Sequence, residues 1–271
     1  MKRFVPPLTN GPAPVPPESL RSRAGSALGW ALFTRAGVLA AAGVLLFAGC
    51  SVREELTISG DGSGRAVLTV ALHPIMIDYM NDLMSAMTGV EAEYPIFDLE
   101  QLQASFAGRE GIVLERAERP ARGRLEMEVS FARIDDVLAR EGADDVLALE
   151  RRGANRELTV RLDRQAVTRF LEFAPEESTS MAQFILPPSD GSVSREEFRD
   201  EMAWALEEYE EREVVEQVLE NAMIEVHVRP QGRIVSQQGG RIEGDTVIFE
   251  MPVLTILTLN EERSYSLVFA P

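Results

Sequence analysis

Short stretches of alternating apolar and polar residues come in pairs along this chain, and each pair encloses a turn. Alternation with a period of two on both sides of a glycine-containing turn predicts a β-hairpin. The predicted strand pairs are 56–58 with 66–72, 112–114 with 125–131, and 146–151 with 157–162. Each hairpin is followed by a stretch with helical spacing, without regular βαβ crossovers. This order predicts an α+β fold, in which hairpins build a mainly antiparallel sheet that helices cover.

Helices are predicted where apolar residues recur every three or four positions. These stretches are 75–88, 98–106, 134–140, a helix after Asp163 with Val167, Phe170 and Leu171 on its apolar face, and 194–222. Ser194 and Glu197 have capping-box spacing and open the last of them. It holds 11 acidic residues against three arginines, so one long acidic helix is predicted. Four more strands are predicted at 224–228, 232–235, 247–251 and 265–269.

The N-terminal part of the chain has a different composition. Residues 1–35 carry five basic residues and one acid, and residues 36–49 then run without charge up to Cys50, the only cysteine. This run of 14 residues is shorter than the about 20 residues of a spanning helix, but it fits the core of a secretory signal. Small residues directly before a cysteine resemble the bacterial lipoprotein signal, in which the thiol is diacylated and the chain is cut before it. The alternative is an uncleaved anchor helix with a chance cysteine.

This pattern divides the chain into a leader and lipoprotein signal peptide at 1–49 and a single extracytoplasmic α+β domain at 50–271. Residues 174–193 are rich in Pro, Ser and Gly and are predicted as a loop, so 174–222 forms a loop-plus-helix insert. The diacylglyceryl group on Cys50 would attach the domain to the membrane, because two acyl chains anchor stably where one does not. Ser51 after the cysteine indicates the outer membrane where the organism has two membranes.

The charge balance and the scarcity of some side chains exclude several functions. With 44 acidic and 27 basic residues and a net charge of −17, the chain is unsuited to nucleic acid, because phosphate affinity comes from lysine and arginine. Removal of residues 1–49 leaves 22 basic and 43 acidic residues, a net charge of −21, so lipid rather than a basic patch must provide the anchoring. One cysteine excludes an internal disulfide and a Cys-rich metal site. With one lysine and two histidines, we expect no cofactor and no enzymatic activity.

Two surfaces are candidate binding sites. The first is an apolar groove for a lipid, lined by methionines at helical spacing and by an apolar loop tip: Met76, Met80, Met84, Met87, Phe184 and Ile185. Methionine reshapes easily around a ligand, although core packing explains the same spacing. The second is an acidic face that would dock a basic protein partner, formed by Glu207, Glu208, Glu210 and Glu211. A solvated helix face explains the same charges.

The sequence offers one weak candidate for catalysis. His227 with an acid could serve a hydrolase, but an exposed or hydrogen-bonded histidine is the simpler interpretation. His73 also lacks a neighbouring ligand pattern. The glycine-rich stretch at 60–64 predicts a hairpin turn, because its spacing fits neither a dinucleotide fingerprint nor a nucleophile elbow.

Two stretches of the sequence resemble LppM-type bacterial lipoproteins. The first is Cys50 followed by Leu56-Thr57-Ile58 and by Asp61-Gly62-Ser63-Gly64, which leads into a long strand. The second comprises 228–234, Gly239-Gly240, 244–247 and Phe249, and is similar to the family's Pro-Gly turn, Asn-Gly and strand ending in an aromatic. Three features depart from that pattern: Gln231 between Pro and Gly, Gln238-Gly239 or Gly239-Gly240 in place of Asn-Gly, and Phe249 where Trp is common. The 174–222 insert lies outside the pattern.

The resemblance implies an extracytoplasmic α+β domain on a lipid tether, with binding of an envelope lipid or glycolipid and no catalytic residues. Together with the residue analysis, it predicts a lipid-anchored, non-enzymatic lipoprotein that binds an envelope lipid or another amphiphile. The alternative is an envelope-assembly scaffold that docks a protein partner through the acidic helix at 194–222.

Overall fold

A computed structural model describes residues 50–141, 146–166, 186–188 and 190–271. Within these residues the strands are β1 (Cys50–Ile58), β2 (Gly64–Leu72), β3 (Ile112–Ala121), β4 (Arg124–Phe131), β5 (Leu147–Arg152), β6 (Asn155–Leu162), β7 (Met223–Pro230), β8 (Arg233–Gln238), β9 (Arg241–Glu243), β10 (Thr246–Pro252) and β11 (Arg263–Ala270). The helices are α1 (Pro74–Thr88), α2 (Leu99–Phe106), α3 (Ile134–Glu141), α4 (Arg195–Leu206), α5 (Arg212–Asn221) and α6 (Val253–Leu257). The α+β class predicted from the sequence is confirmed.

The strands form two sheets rather than one. The first has seven strands in the order β3-β4-β2-β1-β7-β10-β9, and the second has four in the order β5-β6-β11-β8. All three predicted hairpins are present as antiparallel pairs, β1–β2, β3–β4 and β5–β6. The one parallel pair described, β1 with β7, joins the N-terminal hairpin to the C-terminal strands. Local alternation cannot predict that pairing, because β1 and β7 lie far apart in the sequence and the fold of the intervening residues brings them together.

Local signals explain where several helices begin and end. Pro74 occupies the first turn of α1, and Gly89 ends that helix in the left-handed conformation at φ 69°. The Asp98 carboxylate caps α2 by accepting hydrogen bonds from the backbone N–H groups of Glu100 and Gln101 at 2.9 and 3.0 Å. The helix predicted after Asp163 begins as expected, with the N–H of Ala166 donating to the Asp163 carboxylate at 2.6 Å. Its predicted apolar residues Val167, Phe170 and Leu171 lie outside the described residues.

The single long acidic helix predicted at 194–222 is wrong, because two shorter helices stand in its place. Helix α4 ends at Leu206 and α5 begins at Arg212. The segment between them carries four glutamates, which would repel one another at helical spacing. The turn lets α5 fold back along α4, so that Glu220 near the end of α5 bonds Arg195 at the start of α4.

The two antiparallel helices bury their apolar sides in the common core through Phe198, Met202, Leu206, Val215 and Leu219. The capping box at the start of α4 is present as predicted, with the N–H of Glu197 donating to the Ser194 hydroxyl and the N–H of Ser194 donating to the Glu197 carboxylate. No described helix is both long and apolar enough to cross a membrane.

One hydrophobic core joins the helices, the second sheet and one face of the first sheet. At one end of that face, Ile77 of α1 approaches Gly123 in the β3–β4 turn, and the N–H of Val253 in α6 donates to the Ala222 carbonyl at 3.0 Å. At the other end, Arg156 Nε of the second sheet donates to the Gly60 carbonyl at 2.5 Å, and the N–H of Ile134 at the start of α3 donates to the Gly62 carbonyl at 2.8 Å.

Candidate functional site

The core-facing side of the first sheet is a grid of side chains set by strand register. Its rows run across β4, β2, β1, β7 and β10, and strand pairing aligns every second residue of each strand. The first row is Leu125, Val70, Val52, Ile224 and Met251; the second is Met127, Leu68, Glu54, Val226 and Phe249; the third is Val129, Ala66, Leu56, Val228 and Val247. Fourteen of these 15 side chains are apolar, and Glu54 is the exception.

Glu54 is the middle residue of the central strand of this sheet. β1 has nine residues, and three strands lie on each side of it. Across the two neighbouring strands, Glu54 faces Leu68 and Val226. Within its own strand it lies between Val52 and Leu56, whose side chains are 2% and 3% exposed. A carboxyl group therefore occupies the centre of an apolar face.

The same region retains surface that water can reach. On the three central strands, from Val52 onward in β1, the partly exposed core-facing side chains are Glu54, Val226 and Ala66. Val226 lies directly opposite Glu54, and Ala66 lies diagonal to it, opposite the buried Leu56. These side chains are not exposed through a position at the edge of the sheet, because β1, β2 and β7 are all interior strands. Glu54 and Val226, which lie directly opposite each other, therefore keep partial exposure in the interior of the sheet.

Burial raises the pKa of two side chains in this part of the structure. Loss of hydration raises the pKa of the Glu54 carboxyl, because the charged form is disfavoured where protein replaces water. Tyr265 of the second sheet contacts Phe249, which belongs to the same row of the grid as Glu54. The two rings meet edge to face, with centroids 5.6 Å apart. Burial also raises the pKa of the Tyr265 phenol. Apolar walls with few polar groups are the usual composition of a small-molecule site.

The methionines predicted to line a groove do not share one surface. Met76 and Met80 lie in the core with 0% and 4% exposure, whereas Met84 is half-buried and Met87 is 47% exposed. The first half of the stripe therefore packs the core, and only its end reaches the surface. Phe184 and Ile185 lie outside the described residues, so their part in a groove stays a prediction.

The four glutamates predicted as a partner face lie around the end of α4. Glu207 and Glu208 follow its last turn, and Glu210 and Glu211 belong to the connection to α5. All four residues are exposed. Arg212 lies within 4.0 Å of Glu207 and pairs with Glu216 at 2.9 Å, which partly offsets the negative charge.

Trp204 adds an aromatic surface beside these acids. Its side chain is 69% exposed on α4, which is unusual for so large an apolar residue. Helical spacing places Asp200, Glu201, Glu207 and Glu208 three or four residues from it. The helical pattern assigned Trp204 no role, since it lies off the apolar stripe, and its polar neighbours were the signal that it faces solvent.

The candidate catalytic histidine lies on the opposite, polar face of the first sheet. His227 Nε2 is 3.1 Å from a carboxylate oxygen of Glu225, two residues earlier on β7. Its side chain is 14% exposed. His73 precedes α1 and lies in another part of the fold. In the described ranges, no three His, Cys, Asp or Glu side chains are grouped as metal ligands.

Glu54 was missed at the level of sequence, although a signal was present. The hairpin prediction began at Leu56, whereas β1 begins at Cys50. Extension of the same alternation toward the N-terminus places Val52, Glu54 and Leu56 on one side of the strand. A lone acid at such a position marks a buried polar group, but only the pairing with β7 makes that position central.

No protein-family model matches this chain, and no curated protein matches it. Among solved structures, the chain is similar to the NMR structure of the folded domain of LppM from Mycobacterium tuberculosis. The TM-score is 0.40 at 15% sequence identity, with 83% of this chain and 91% of that chain covered. This likeness is distant.

Proposed function

We propose that this chain is a lipid-anchored, non-enzymatic protein of the cell envelope that holds one amphiphile against the core-facing side of its first sheet. The carrying observation is the partly accessible centre of an otherwise buried apolar face, at Glu54, Val226 and Ala66. An apolar sheet face would accept an acyl chain, and Glu54 offers one hydrogen-bonding group for a polar end. The site differs from the methionine groove expected from sequence.

The anchor in this proposal is a diacylglyceryl group on Cys50. That residue is the first of β1, so the lipid would join the sheet without an intervening linker. Metabolic labelling with a palmitate analogue tests the anchor in a bacterial host. We expect label on the native chain and on Ser51→Ala, which keeps the cysteine. Label that persists on Cys50→Ala would overturn the assignment.

The binding test uses the full chain in detergent and a fluorescent monoacylglycerol as the probe. Val226→Phe places a larger side chain beside Glu54, and we expect it to weaken probe binding at least tenfold. The control is Val113→Phe, which enlarges an exposed residue on β3 that is 55% exposed. Equal affinity for the probe in both variants would contradict a site at the sheet centre, and no binding by the native chain would contradict amphiphile binding altogether.

A second candidate function is docking of a basic protein partner at the end of α4, which the exposure of Trp204 favours. A tryptophan face flanked by carboxylates attracts a lysine or arginine through both cation–π and charge interactions. Cross-linking in intact cells should then give one dominant neighbour through this surface. Reversal of Glu207, Glu208, Glu210 and Glu211 to lysine should abolish that product, and an unchanged product would contradict the proposal.

A further inference from the structure

We propose that the turn between β3 and β4 contacts anionic lipid phosphates, so that the strands of the first sheet point away from the membrane. This inference rests on the proposed function, because it starts from the diacylglyceryl group on Cys50. The turn, named the near turn below, is Arg119-Pro120-Ala121-Arg122-Gly123-Arg124 and holds three arginines and no acid. Residues 50–271 as a whole hold 43 acids and 22 arginines, so the near turn reverses the charge balance of the domain.

Strand register places the near turn at the same end of the first sheet as Cys50. Cys50 pairs with Leu72, and the N–H of Leu72 donates to the Gly123 carbonyl at 2.8 Å. In the next row, Ala71 of β2 pairs with Arg124 of β4. Neighbouring strands lie about 4.8 Å apart, so Arg124 lies about 10 Å from β1 across the sheet. Because Cys50 is the first residue of β1, a lipid on it would bring this end of the sheet to the headgroups.

The arginines of the near turn keep N–H donors for a phosphate. The side chains of Arg122 and Arg124 are each 49% exposed. Arg122 donates to Asp78 at 3.2 Å and to Glu93 at 3.1 Å, and Arg124 donates to Glu126 at 2.9 Å. A guanidinium carries five N–H donors in a fixed plane, so each group can bind a phosphate oxygen as well. Exposed ion pairs of this kind are weak, so a phosphate can also displace the carboxylate.

The anchor makes weak contacts sufficient. A tethered domain stays at the membrane surface, so the near turn meets the headgroups at a high effective concentration. Each arginine close to an anionic surface strengthens attachment about fivefold. Charges act over about 8 Å at physiological ionic strength, so acids in distant parts of the domain do not cancel this attraction. The acyl chains therefore provide attachment, and the near turn sets the orientation.

A second turn with the same charge lies at the opposite end of the first sheet and provides a control. This far turn, residues 151–156, joins β5 to β6 and also holds three arginines and no acid. Arg156 Nε donates to the carbonyl of Gly60, two residues beyond the end of β1. β1 has nine residues, so the two turns lie roughly 25 Å apart along its direction. Charge alone would bring both turns to a membrane, whereas an anchor on Cys50 favours the near turn.

The experiment uses the lipidated full chain in vesicles of phosphatidylcholine and phosphatidylglycerol in equal parts. A fluorophore is attached to Ala121→Cys in the near turn or to Ala154→Cys in the far turn; both alanines are exposed. Cys50 is the only native cysteine, and its lipid blocks the thiol, so the fluorophore reacts at the introduced residue. Nitroxide groups on the lipid headgroups quench a fluorophore at the surface. We expect at least threefold stronger quenching at 121 than at 154.

Charge variants test the contact with phosphate. Arg122→Gln combined with Arg124→Gln should weaken the quenching at 121 at least twofold, and vesicles of phosphatidylcholine alone should do the same to the native turn. The matched control is Arg151→Gln combined with Arg152→Gln, which removes two exposed arginines from the far turn and should leave the quenching at 121 unchanged. Lysine at positions 122 and 124 keeps the charge and should keep most of the quenching.

The outcomes separate this inference from the proposed function. If the native chain does not float with the vesicles in a density gradient, the lipid anchor of the proposed function fails. If the chain floats but the labels at 121 and 154 are quenched equally, the anchor stands and the orientation fails. Quenching at 121 that is insensitive to both glutamine substitution and phosphatidylglycerol would overturn the phosphate contact, as would equal weakening by the near-turn and far-turn variants. Far-ultraviolet circular dichroism of each variant confirms that it is folded.

Discussion

Glu54 of β1 lies directly opposite Val226 of β7 in the parallel pair at the centre of the first sheet. This pairing brings a carboxyl from the N-terminal hairpin beside an apolar side chain from the C-terminal part of the chain. Both residues keep partial exposure, whereas the neighbouring pairs of Val52 with Ile224 and of Leu56 with Val228 are buried.

Replacement of Glu54 should stabilise the protein at neutral pH. Burial raises the pKa of Glu54 above its ordinary value of 4.5, so the unfolded chain releases this proton at a lower pH than the folded protein does. The free energy of unfolding therefore falls as the pH rises from the unfolded to the folded pKa, and the penalty is complete above it. Removal of this partly buried carboxyl, which has no hydrogen-bond partner in the part of the chain that the structure describes, should gain about 1–3 kcal/mol.

Urea denaturation of Glu54→Leu and the native chain across pH 4 to 9 measures this effect. We expect similar unfolding free energies near pH 4 and a growing advantage for Glu54→Leu toward alkaline pH. The control is Glu55→Leu, which removes an acid from the next position in β1 on the exposed side of the sheet. An advantage that is constant with pH, or that Glu55→Leu shares, would show that ionisation of Glu54 is not its cause.

The sequence predicted the parts of this fold that depend on neighbouring residues. Hairpins such as β3–β4 follow from alternation, and the start of α4 follows from Ser194 and Glu197. The division of the helix after Leu206 left a signal in the apolar period, because Val215 follows Tyr209 by six positions rather than three or four. The centre of the candidate site depends on pairing between β1 and β7, which is fixed by packing of distant segments. For the same reason, Met76 and Met80 could be placed on a helix but not assigned to core or groove.

Gly123 and Gly89 should differ in their tolerance of alanine. Both have positive φ, 73° and 69°, so a Cβ strains the backbone by about 1 kcal/mol at either position. At Gly123 the added Cβ would also lie 2.2 Å from Ile77 Cδ1, whereas at Gly89 nothing lies within 4 Å.

Thermal denaturation of the two alanine variants compares strain alone with strain plus a steric clash. We expect Gly89→Ala to lose about 1 kcal/mol and Gly123→Ala to lose 1–3 kcal/mol more, as overpacking does. The clash connects the β3–β4 turn to α1, so the additional loss reports the contact between sheet and helix. Equal losses would show that Ile77 moves aside without cost.

Truncation of Met202 should cost much more stability than truncation of Trp204, although both residues lie on α4. Met202 is 5% exposed and Trp204 is 69% exposed. Met202→Ala leaves a cavity in the core and should cost about 2–5 kcal/mol. Trp204→Ala removes few contacts and should change stability by less than about 0.5 kcal/mol.

Denaturation followed by circular dichroism measures both variants, because the signal does not depend on the tryptophan. A large loss of stability in Trp204→Ala would show that this side chain supports the fold rather than a partner surface. With stability unchanged, loss of the cross-linked neighbour in the same variant would then be attributable to binding.

Ser194→Ala should destabilise α4 by about 1 kcal/mol, because it removes the hydroxyl that caps the helix. The N–H of Glu197 donates to that hydroxyl at 3.2 Å, and the N–H of Ser194 donates to the Glu197 carboxylate at 2.9 Å. The second bond survives in the alanine variant, since it uses the backbone. The control is Ser192→Ala, which removes an exposed hydroxyl that bonds the Asp190 carboxylate but caps no helix. It should cost less stability than Ser194→Ala.

The pH dependence separates the two bonds of this capping box. The hydrogen bonds from the backbone and side chain of Ser194 lower the pKa of the Glu197 carboxyl below its ordinary value of 4.5. Its contribution to stability is therefore present above the unfolded pKa and is lost as the pH falls through the folded pKa. Glu197→Gln should remove this acid-dependent part, whereas Ser194→Ala should keep most of it. If both variants lose the same pH dependence in urea denaturation, the hydroxyl rather than the backbone N–H is the group that holds the carboxylate.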